Sequence, residues 1–119
     1  EDLGQPAGAC AAAWWAQGMH HLSLGDPDAA VGAFGRALAY AESAAGGGAA
    51  EDLAVTLARG FLALARRATG AAEADRDLEA VLATLRSHLA DPSRREAARA
   101  GIDQLETVRE RCGGGRREA

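Results

Sequence analysis

The chain has 119 residues, a formal net charge of −4 and 48% hydrophobic residues, much of that share being alanine. This length suits one domain with a modest core, and no run of about 18 apolar residues exists to form a spanning helix or imply a membrane partner. All 13 basic residues are arginine, and the acidic balance argues against nucleic acid as a partner, which requires a cationic footprint.

Large apolar side chains are few (two Trp, two Phe, one Tyr, one Met), with leucine supplying most of the rest. Alanine is the best helix former and packs with little bulk, so an Ala- and Leu-rich chain without β-branched runs reads as all-α. Glycine and proline divide it into five helices. The first runs from about Pro6 to Ser23 and stops at Gly25. Asp26-Pro27 restarts the chain, aspartate as N-cap and proline in the first turn. The second helix runs to about Ala45 and ends at the glycines 46–48.

The third helix starts near Glu51-Asp52, acidic residues well placed for the helix dipole, and stops at Gly70. Leu53, Leu57, Phe61, Leu64 and Ala68 form its apolar stripe. Ala54, Ala58 and Ala65 widen that stripe, as expected of a central helix contacted on two sides. The fourth helix covers roughly Glu73 to Ala90, with Leu78, Leu82, Leu85 and Leu89 on one face. Asp91-Pro92-Ser93 repeats the restart, and a fifth helix runs to Cys112. The expected architecture is a single domain over residues 1–112, built of antiparallel helical hairpins with a C-terminal capping helix, and a disordered tail at 113–119.

Sites for chemistry are sparse. His20 and His21 are adjacent and point about 100° apart on a helix, which disfavours a shared metal. Cys10 has no histidine or orienting carboxylate nearby to activate it, and Cys10 and Cys112 alone make no disulfide framework. The glycines at 46–48 lack the Lys-Ser/Thr that follows in a phosphate loop. No catalysis, metal or cofactor is expected, and the cytoplasm is the expected compartment.

Residues 14–43 carry the most information. Trp14 is followed four residues later by Gly18, then by His21 and by Gly25 in the turn; Ala30, Phe34 and Ala37 follow. Small residues on both helices permit close approach, while the aromatic residues fill the volume beside the crossing. This pattern resembles a tetratricopeptide repeat, with Gln17 where the family usually has Leu, His21 in place of Tyr and Glu42 in place of Pro. Gly60 follows Gly18 by 42 positions, resembling the extended form of that repeat. The resemblance is good over residues 11–44, fair over 53–90, where Leu78, Leu82 and Leu85 replace the second helix's Ala, Phe and Ala, and absent as a motif over 93–112.

The resemblance implies a structural core of Trp14, Gly18, His21, Ala30, Phe34, Ala37 and Gly60. It also implies a concave groove lined by the first helix of each hairpin. The partner-binding residues would be Trp15, Met19, Leu22, Leu57, Phe61 and Leu64, with Ala12 and Ala54 alongside. Aromatic residues and methionine are enriched in interface cores. The expected function is therefore a non-catalytic scaffold module that takes an apolar or amphipathic segment of a protein or peptide in this groove. The same residues could instead pack on the chain's own fifth helix or on a second copy in a homodimer. They could also belong to a small-molecule-sensing domain with Trp14, Trp15, Met19 and His20 around a pocket.

Overall fold

The computed structural model describes residues 7–46 and 52–117, the side chains of 112–117 excepted. It is all-α: α1 (Ala7–Ser23), α2 (Pro27–Ala45), α3 (Leu53–Ala68), α4 (Ala74–Ser87) and α5 (Arg95–Arg117), with a 3-10 turn at His88–Ala90 between the last two. No strand occurs among the described residues. Residues 47–51, expected to join α2 to α3, and residues 1–6 lie outside the described set.

Local chemistry sets most of the boundaries. Asp26 caps α2 by accepting from the Ala29 N–H at 3.3 Å, with Pro27 in the first turn. Asp52 caps α3 in the same way, accepting from the Val55 N–H at 3.1 Å. Gly25 and Gly70 take φ of +77° and +93°, left-handed turns that a side chain would resist.

The second Asp-Pro pair behaves differently. Asp91 accepts both the backbone N–H (3.0 Å) and the hydroxyl (2.8 Å) of Ser93, two residues on. These bonds hold the Asp91 carboxyl below its ordinary value. They close a local turn in place of an N-cap, so α5 starts at Arg95, after the expected restart. Helical backbone also continues to Arg117, through much of the segment expected to be a disordered tail, because extending a formed helix needs no new nucleus. Residues 118–119 lie outside the described set.

Paired contacts fix the directions of the helices. Along α1, Trp14 meets Arg36 and Gly18 meets Phe34, so α2 runs back against α1. The pairs Phe34–Phe61 and Glu42–Arg59 set α3 antiparallel to α2. Gly60–Val81 and Arg67–Asp75 do the same for α3 and α4, and Glu79–Arg109 with Arg86–Glu106 for α4 and α5. Leu57–Gly101 and Gly60–Leu105 show α3 and α5 running in parallel. Thus α1, α3 and α5 share one direction, and α2 and α4 the other.

The core lies around α3. Phe34, Phe61, Leu64, Leu78, Leu82, Leu85 and Leu105 are all essentially buried. The Phe34 and Phe61 rings stack with centroids 5.6 Å apart. The ion pairs joining neighbouring helices sit at the surface, where each contributes about 0–1 kcal/mol, so hydrophobic burial carries the assembly.

Gly32, on α2, has open space where a side chain would begin. Gly32→Ala is therefore expected to stabilise the domain by up to about 1 kcal/mol through helix propensity alone, read as a higher urea midpoint.

Candidate functional site

An apolar cleft of about 360 Å³ opens where α1, α2 and α3 meet, with α5 at one edge. Its bulky lining residues are Trp15, Leu57 and Phe61. Small residues line the rest: Gly8, Ala11 and Ala12 of α1, Ala37, Ala41, Ala44 and Ala45 of α2, and Ala54 and Ala58 of α3. Among the described residues, Asp52 and Gln104 are the only polar ones on the lining. The cleft exists because alanines leave space that larger side chains would fill.

Trp15 stands edge-on to Phe61, ring centroids 5.6 Å apart and planes at 77°. Phe61 is in turn backed by Phe34. Such aromatic pairs add about 0.5–1.5 kcal/mol each beyond the area they bury. One wall of the cleft is therefore a rigid three-ring stack, and Trp15, half-buried, is its accessible end.

Of the residues expected to meet a partner, Trp15, Leu57 and Phe61 line the cleft, together with Ala12 and Ala54. Two need correction as contact residues. Phe61 and Leu64 are each only 1% exposed. Both project into the core from a helix covered on several sides, so Phe61 forms the floor of the cleft and Leu64 has no part in it. Met19 and Leu22 are half-buried against the core and lie outside the cleft. Leu57 packs on α5, where the missing side chain of Gly101 makes room for it.

Gly18 is buried at the α1–α2 crossing: a Cβ built there would stand 2.5–2.8 Å from three atoms of the Phe34 ring. Ala30 and Phe34 are fully buried and Ala37 nearly so. Gly60 is enclosed by Leu105 and Val81. Trp14 is not the expected core wedge. It is half-buried, with the Arg36 guanidinium 4.9 Å over its ring, a cation–π contact on the outer side of the crossing. His21 is also half-buried, its ring centroid 6.0 Å from that of His20.

The small lining residues of α2, and Asp52 and Gln104, were not singled out from sequence as a site. The spacing of Ala37, Ala41 and Ala45, one turn apart, was the available signal, but it reads equally well as a close helix crossing. A second cleft of about 350 Å³ between α3 and α4 carries Arg59, Arg66 and Asp77 over Leu62 and Val81, and so presents both signs of charge.

Among the described residues no three His, Cys, Asp or Glu side chains are grouped to hold a metal ion, and no helix is long and apolar enough to cross a membrane. The class established by these features is an all-α five-helix fold with an apolar cleft beside its central helix. Comparison with protein-family models, curated proteins and solved structures finds no match.

Proposed function

We propose that this chain is a non-catalytic helical-repeat module, similar to tetratricopeptide repeats, that binds an apolar segment of a partner protein in the cleft between α1, α2 and α3. The observation that carries the reading is the cleft itself: Trp15 and Leu57 stand at its walls over a floor of Phe61 and alanines. Two further features support it. Gly18 sits against Phe34, as a close helix crossing of this repeat requires. The helices that share one direction, α1, α3 and α5, each contribute to the cleft through Trp15, Leu57 and Gln104. Anchoring side chains in desolvated pockets dominate such interfaces.

Ala12 gives the cleanest test, because it is exposed, lines the cleft and supports no core contact. The probe is a fluorescently labelled 14-residue amphipathic peptide of Leu and Gln. Ala12→Arg is expected to weaken its binding at least about tenfold with little change in melting temperature, since arginine is a good helix former and fills the cleft. Absence of saturable binding to the unmodified protein overturns the reading.

The concavity and size of the cleft also fall within the range of small-molecule sites, which favours a small apolar ligand as the second reading. Saturable change in Trp15 emission with such a ligand, and none with the peptide, would select it.

A further inference from the structure

Among the described residues, Asp52 is the only charged one lining the apolar cleft. Its Oδ1 closes the N-terminus of α3 by accepting from the Val55 N–H. Its Oδ2 makes no hydrogen bond or ion pair among the described residues. The side chain is half-buried, and among the described residues no opposite charge lines the cleft: α1 carries no acidic or basic residue apart from His20 and His21, which lie outside the lining. Gln104, the other polar group, is neutral. The site therefore combines apolar walls with one unspent carboxylate oxygen.

Such an oxygen favours a cationic donor. Charge-assisted hydrogen bonds are shorter and roughly twice as strong as neutral ones, and apolar walls strengthen them by excluding water. The chain's net charge of −4 acts in the same direction at longer range. Resting on the reading of the cleft as a partner site, we propose that its occupant is a basic amphipathic helix, with an apolar side chain seated between Trp15 and Leu57 and a lysine or arginine one turn away paired with Asp52. Residues three or four apart share one helix face, so a single helix supplies both groups. An acidic or purely neutral helix leaves the carboxylate facing a like charge or an apolar surface, and the cleft discriminates against both.

The experiment compares three labelled 14-residue helical peptides with the same Leu pattern and Lys, Gln or Glu at the polar positions, measured by fluorescence anisotropy. The protein is expected to bind the Leu/Lys peptide about tenfold more tightly than the Leu/Gln peptide, and the Leu/Glu peptide most weakly. Asp52→Ser removes the charge but keeps a good N-cap oxygen, and Asp52→Asn is a second variant of the same kind. Both are expected to bring the Lys and Gln peptides to within about twofold of each other. Asp103→Ser removes the same charge from an exposed site on α5 and is expected to leave the preference intact. Equal affinity of the unmodified protein for all three peptides overturns the charge assignment and leaves the cleft reading standing. A preference that survives in both Asp52 variants overturns the role of this residue. Binding of none of the three overturns the cleft reading itself.

Discussion

Gly18→Leu is expected to destabilise the domain by about 3 kcal/mol and to lower its melting temperature by roughly 10 °C or more. The reason is local and steric. A single added carbon at this position already falls within 2.5–2.8 Å of the Phe34 ring. Phe34 has nowhere to retreat, being fully buried with Phe61 stacked behind it. The helices must separate or the ring must leave its rotamer, and either loosens the α1–α2 crossing. Gly18→Ala gives a graded control: helix propensity returns about 1 kcal/mol, but the first clash remains, so a smaller net loss is expected. Urea titration of the three proteins checks the order. Leucine tolerated at position 18 without loss of stability would show that the crossing is looser than described.

Phe61→Ala is expected to cost more, about 3–5 kcal/mol, the range for deleting a buried aromatic side chain. That is a large fraction of the roughly 5–15 kcal/mol that holds a small domain folded. Phe61 is 1% exposed and touches both the Phe34 and Trp15 rings. Its removal joins a new cavity to the cleft floor and deprives Trp15 of its edge-on partner. A red shift in Trp emission should therefore accompany the lower urea midpoint. Leu62, the next residue, is only half-buried, and Leu62→Ala is expected to lose distinctly less. Equal losses at 61 and 62 would show that the ring stack is not the centre of the core.

The helices were legible in the sequence because their punctuation is strong. Gly25, Asp26-Pro27, Asp52 and Gly70 each have a local backbone consequence that does not depend on the rest of the chain. The steric reading of Gly18 with Phe34 was legible for the same reason: a missing side chain at a crossing predicts a large neighbour. The Asp91-Pro92 restart was misplaced because Ser93 captures the carboxylate that Asp26 gives to a backbone N–H one residue further on. Trp14 and Trp15 are both large, and only the rotation of α1 about its axis decides which of them reaches Phe61. Phe61 and Leu64 share a stripe with Leu57, but the third dimension buries two of the three. Asp52 is legible as an acidic residue suited to the helix dipole at the start of α3, and the structure makes it the N-cap. Its place on the cleft depends on how α1 and α2 approach the start of α3, a relation that periodicity does not encode.

Gly60 and Phe61 are consecutive residues of α3 with opposite allegiances. Gly60 lies against Val81 and Leu105, side chains of α4 and α5, whereas Phe61 lies against Trp15 and Phe34 of α1 and α2. One peptide unit thus serves as the keystone between two halves of the molecule. Any displacement of α3 on one side would be transmitted across that unit to the other, because close-packed interiors pass strain on rather than absorb it. The fold is in this sense a single beam loaded from both sides.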